Sequence, residues 1–186
     1  LIVSLLVFIG NGSWRGNLEI QAMLNCLLLA LGVGLAEELI FRAWLWEELT
    51  KILGPRAGML GQAALFSLVH TRFNLGILPM LGLLTGLFLL GLVLALLRLR
   101  DQGSLWGCIG LHGGLVGGWF LVHQNLLMID PHAPLWLVGP GGQNANPLGG
   151  MVAIVSLTAI GSLLLQITKP IHPRQSTNSA PDQQRC

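Results

Sequence analysis

Charge is scarce in this chain. Lys, Arg, Asp and Glu together make up 10% of its 186 residues, against roughly one-quarter in an average soluble domain. Hydrophobic residues make up 53% and the mean hydropathy is +0.69, so a soluble globular domain is excluded and a membrane protein is expected. Basic charge is also thin. The net charge is +2 and no Lys/Arg run interleaves with aromatics, which removes nucleic acid from the candidate partners. The three cysteines, Cys26, Cys108 and Cys186, form no C-x-x-C pair and two lie in apolar segments. That excludes a disulfide framework and a thiolate metal site. No H-E-x-x-H helix, which would bring two histidines to one face around zinc, occurs either.

The expected architecture is an all-α, polytopic transmembrane bundle. Residues 1–17 are read as the end of a truncated transmembrane helix, LIVSLLVFIG, followed by the loop NGSWRGN. Residues 18–168 are read as one membrane domain and 169–186 as a disordered tail with too little apolar surface to offset its ordering entropy. Within the domain one helical pattern runs from Leu18 to Leu53 and stops at Gly54-Pro55. Its last turns, with Glu47, Glu48 and Lys51, are expected at the interface. Ala57 to Thr71, Leu75 to Leu97, Ser104 to Ile129 and Met151 to Thr168 follow as apolar helices. Asp130 to Gly150, rich in Pro, Gly and Asn, reads as a loop. Trp14, Trp44, Trp46 and Trp136 near the span ends suit an interfacial aromatic belt. Threading the helices alternately puts Lys51, Arg56, Arg98, Arg100, Lys169 and Arg174 on one side and Arg15 and Arg72 on the other. The positive-inside rule then makes the first side, and the tail, cytoplasmic.

Against that apolar background, Glu37, Glu38 and Arg42 stand in the middle of the run Leu27 to Leu49, where each charge costs at least ~2.5 kcal/mol. Glu38 and Arg42 are four residues apart and can pair on one helical face. Glu37 is turned by about 100° from Glu38 and needs a different partner. At about 1.5 Å per residue, Glu37 lies roughly 20 Å from the Lys51 end of its helix and His70 roughly 20 Å from the Arg56 end of the next, with His112 about 12 Å past Ser104. Convergence of the three inside the membrane is feasible. A carboxylate beside a neutral imidazole in a poorly solvated pocket can take a proton from water, as a hydrolase's general base must. His70 is the candidate partner, and His112 could donate to the oxyanion formed when that water attacks a carbonyl. His123, near the outer end of its span, is expected to be a helix-helix hydrogen-bond partner. His132 and His172 lie in loop and tail.

The same residues resemble a known family. Glu37 to Arg42 matches E-E-x-x-x-R, Phe66 to His70 matches F-x-x-x-H, and His112 on a later span matches the third, histidine-bearing motif of the CPBP family, which includes the CAAX prenyl proteases and the bacteriocin-processing enzymes also called Abi. The resemblance covers roughly Leu18 to Ile129. It implies an all-α membrane bundle and intramembrane endoproteolysis, with Glu37 and His70 activating water and His112 stabilising the oxyanion; Glu38 and Arg42 are counted with the site, where their spacing favours a structural ion pair over direct catalysis. It also implies a membrane-associated peptide or protein substrate within the bilayer. One position departs from the pattern. The last motif is usually H-x-x-x-N or H-x-x-x-D, and here the fourth residue after His112 is Val116, which cannot donate a hydrogen bond.

Two questions stay open at the level of sequence. The family carries a metalloprotease label, and Glu37, His70 and His112 could supply the three protein ligands of a catalytic zinc. A carboxylate-histidine pair accounts for the same residues without metal. The second question is function: Val116 keeps alive a non-proteolytic membrane scaffold or immunity-type protein on the same fold. A proton-coupled transporter would show internal repeats or paired broken helices, and none is seen.

Overall fold

The computed structural model describes residues 1–142 and 145–168. The tail expected to be disordered, with Lys169, Arg174 and Cys186, lies outside the described residues. The expected helices are present with shifted ends, and a short one is added in the stretch expected as a loop: α1 (Ile2–Phe8), α2 (Ile20–Glu37), a π-helical segment (Glu38–Leu45), α3 (Trp46–Leu53), α4 (Pro55–His70), α5 (Ile77–Arg100), α6 (Trp106–Leu121), the added α7 (Leu135–Val138) and α8 (Met151–Ile167). α2, the π segment and α3 run on as one helix over Ile20–Leu53, and this helix and Ile77–Arg100 are each long and apolar enough to cross a membrane.

Three expectations are corrected. The first concerns the end of the Ser104 to Ile129 helix: in an otherwise helical structure Leu127–Ile129 (β2) is extended and forms a small antiparallel pair with Gly12–Trp14 (β1), in which Ser13 faces Met128. The helix begun at Trp106 widens into a π turn over Val122–Leu126, through the polar run His123, Gln124 and Asn125, and stops there. Burial of Leu127 against Leu6 then favours the extended pairing. The second concerns Trp46, which is buried rather than in an interfacial belt; Trp14, Trp44 and Trp136 are exposed as expected. The third concerns His123. Its Nδ1 faces the neighbouring Gln124 amide and its ring stacks on Trp119 in its own helix; no bond to another helix is found among the described residues.

Two features of the packing position the site. α2 lies against α6 at backbone distance, because the contact is made of small residues. A Cβ added at Gly113 would stand 2.0 Å from Ala30 O, and one at Gly117 would stand 2.4 Å from Cys26 O. This brings the C-terminal end of α2, with its two glutamates, beside His112. α4 is tied to α5 by buried polar bonds: Gln62 Nε2 donates to Gly91 O at 3.2 Å and Ser67 Oγ to Leu84 O at 2.8 Å. That fixes the last turn of α4, where His70 sits. The main core spans α4, α5, α6 and α8 around Phe66, Leu87, Leu90, Leu94 and Leu157.

The stretch Asp130 to Gly150, expected as a loop, folds back on the bundle. It contains α7 and a 3-10 turn at Pro147–Gly149 started by Asn146, whose side chain accepts from Leu148 N. The turn seats on α5 at Gly86, where any Cβ would collide with Leu148 O.

Candidate active site

Glu37 ends α2 and Glu38 opens the π-helical segment. Adjacent helical positions diverge by about 100°, so the two carboxylates reach different histidines. Glu37 Oε2 stands 3.1 Å from His70 Nε2 on α4 and 3.7 Å from His112 Nε2 on α6. Glu38 and Arg42 are wholly buried and paired, Nη1 to Oε1, at 3.1 Å, as their spacing predicts. The same Glu38 oxygen also lies 2.7 Å from His112 Nδ1, a contact between helices that no spacing in the sequence signals. Glu37, Glu38, Arg42, His70 and His112 are therefore one cluster drawn from three helices.

Phe66 is the hub that sequence reasoning used only as a motif letter. Its ring lies 4.5 Å from the His70 ring and 5.6 Å, edge on, from the His112 ring. The Arg42 guanidinium sits 4.3 Å above its face. Among the described residues Arg42 Nε and Nη2 have no hydrogen-bond acceptor, so the cation rests on the ring's negative face instead.

Hydrogen-bond partners fix the ring protons. His70 Nδ1 faces Phe66 O at 2.8 Å. A carbonyl only accepts, so Nδ1 carries the proton. His112 Nδ1 faces a carboxylate and carries its proton by the same rule. In a neutral ring each Nε2 is then a lone pair, and both lone pairs converge on Glu37 Oε2, an atom with no aligned donor among the described residues. Three acceptors cannot face one another stably, so the Glu37–His70 contact holds a shared proton, on carboxyl or on imidazolium. His112 Nε2 can donate only when that ring carries both protons.

These groups open on a cavity of about 770 Å³. Glu37, Phe66, His70 and His112 line one part; Leu87, Leu90, Leu115, Leu157 and Ile160 supply apolar lining, to which Asn146 and Leu148 of the folded-back loop add. Val116 lines it as well, whereas Asn125 is not among the lining residues. The donor set of two imidazoles and a carboxylate is of the zinc-hydrolase type. Among the described residues, however, no group of three or more His, Cys, Asp or Glu side chains is arranged to hold a metal ion.

A family model described as type II CAAX prenyl endopeptidase, Rce1-like, matches residues 19–117. The chain belongs to this family. The match runs from the start of α2 through Gly117 and so includes all five clustered residues and Val116. It bears out the CPBP resemblance, and with it a membrane helical protease family. No curated protein and no solved structure matches the chain.

Proposed function

We propose that this Rce1-like chain is an intramembrane endopeptidase that hydrolyses a peptide bond of a membrane-associated substrate with water activated by Glu37 and His70. The single observation that carries the proposal is the 3.1 Å contact between Glu37 Oε2 and His70 Nε2 on the wall of a cavity large enough for an extended peptide segment. In this mechanism Glu37 takes a proton from water as the oxygen attacks the carbonyl carbon, and the proton shared with His70 is passed to the departing amine. His112, doubly protonated and held at Nδ1 by Glu38, donates from Nε2 to the oxyanion. Arg42 neutralises Glu38 in the apolar interior. Each ring is aimed by a bond at its far nitrogen, so little reorganisation is left for the reaction itself. The apolar lining suits the lipid-facing part of a substrate, and the polar part suits its scissile bond. The chain is multi-pass in this proposal, with Lys51, Arg56, Arg98 and Arg100 at the cytoplasmic ends.

The test is cleavage of a membrane-anchored fluorogenic peptide by the protein in liposomes. Glu37→Gln and His70→Ala should each lower the rate by about 10² or more, the usual size of a lost general base. A parental rate in either variant, at equal membrane yield, would overturn the mechanism. One observation favours a second reading, a non-proteolytic scaffold: Val116 presents an apolar side chain to the cavity one turn from His112, where the family pattern has a donor. A scaffold would keep its partner binding with Glu37 and His70 both replaced.

A further inference from the structure

Arg98, the last turn of α5, is read from the sequence as a cytoplasmic anchor. Its contacts assign it more. Nη1 donates to the backbone carbonyl of Arg42, Nη2 reaches Glu47 Oε1 at 3.0 Å and Nε donates to Gly103 O at 3.4 Å. The guanidinium carbon lies 5.2 Å from the centroid of the buried Trp46 ring. An arginine placed only to meet headgroups would not be held on four sides.

The carbonyl it takes is a particular one. In an α-helix the Trp46 N–H would bond to Arg42 O, four residues back. Here the Trp46 N–H closes on Phe41 O, five residues back, and passes over Arg42 O. A buried carbonyl without a donor costs about 1–3 kcal/mol, and Arg98 Nη1 fills it. Arg98 therefore satisfies the acceptor that the wide turn leaves open, and so removes the penalty that would otherwise favour the ordinary turn.

We propose that Arg98 is a positioning residue for this site: by occupying Arg42 O it holds the π turn that keeps Glu37 and Glu38 facing His70 and His112. The two histidines are anchored on α4 and α6, independently of that turn. If the ladder closed to the α form, the hydrogen-bond register would slip by one residue, about 100° of rotation. Because α2 is held on α6, that rotation would be forced between Glu38 and α3, and it would pull Arg42 and the carboxylates out of line with His70 and His112.

The kinetic arm of the test rests on the protease proposal; a spectroscopic arm does not. In liposomes, Arg98→Ala should lower kcat by roughly 10²-fold, the effect of an ångström-scale misplacement, with KM within about twofold. Arg98→Lys, which keeps one donor for the carbonyl, should recover part of that loss. Glu47→Gln, which loosens the exposed partner and leaves the carbonyl bond, should stay within about twofold of the parent. In the second arm, the imidazole ¹⁵N resonances of His112, identified by their loss in His112→Gln, should move in Arg98→Ala and hold in Glu47→Gln. If the parent cleaves nothing, the protease proposal fails and the ¹⁵N arm still decides this one. Unmoved His112 resonances in a folded Arg98→Ala, or in Arg98→Gln should the alanine variant not fold, would overturn the positioning role. So would an equal kcat loss in Glu47→Gln.

Discussion

One oxygen of Glu38 serves two helices: Oε1 lies 3.1 Å from Arg42 Nη1 on its own helix and 2.7 Å from His112 Nδ1 on α6. The ion pair and the histidine clamp are the same carboxylate, so stability and chemistry are coupled at one atom and can be separated by mutation.

Glu38→Leu strands both Arg42 and His112. Breaking one side of a buried pair costs about 3–5 kcal/mol, so membrane yield and melting temperature should fall. Adding Arg42→Leu should restore much of the yield, since no buried charge is then left over, while cleavage stays low because His112 still lacks its acceptor. Return of parental cleavage in the double variant would show that Glu38 matters only to Arg42.

The close approach of α2 to α6 is a second point of attack. Gly113→Ala places a methyl against Ala30 O, and the helices must part. Glu38 and His112 separate with them, so activity should drop by about 10²-fold. Gly110, about one turn back on the same helix, has nothing within 4 Å and is not among the cavity's lining residues, and Gly110→Ala should leave the rate unchanged. Equal rates for the two alanine variants would contradict the packing account.

Val116 lines the cavity one helical turn from His112. Val116→Asn supplies a donor on the same face, and cleavage should rise, since a well-placed oxyanion donor is worth up to roughly 10²- to 10³-fold. A rate unchanged from the parent, in a protein that still binds its partner, would favour the scaffold.

The proposed topology puts Arg98 and Arg100 on the cytoplasmic side and Arg15 on the other. In a cysteine-free background, an impermeant thiol reagent applied to intact cells should label Arg15→Cys and spare Arg100→Cys. Labelling of position 100 from outside would invert the threading.

Most of the helical layout and the pairing of Glu38 with Arg42 were legible in the sequence, because apolar runs and i, i+4 spacing are local signals. The convergence of Glu37, His70 and His112 was legible as depth along separate helices. What stayed hidden depends on contacts between distant segments. The β1–β2 pair exists because Leu127 has Leu6 to pack on, and nothing near residue 127 announces residue 6. The widened turn at Glu38–Leu45 has no composition of its own; Leu, Ile, Phe, Ala and Trp would sit equally well in an α-helix. His112 acquired a carboxylate partner because glycine let two helices touch. Trp46 looked interfacial until α5 brought Arg98 across it.

The π segment has a consequence for which sequence changes this chain can absorb. A wide turn is an ordinary helix carrying one residue too many, and the surplus lies between the two glutamates and the start of α3. Side chains such as Leu39, Ile40 and Trp44 point outward and are exposed, so exchange among apolar residues there alters little. Removing one residue after Arg42 is absorbed too, since the surplus goes, the ladder regains its usual spacing and the flanking turns keep their relation; adding one is different, because a second surplus residue turns everything upstream against everything downstream. The alignment of the carboxylates is thus written in the length of the segment more than in its letters, and insertion scanning would find a sharp limit where substitution scanning finds tolerance.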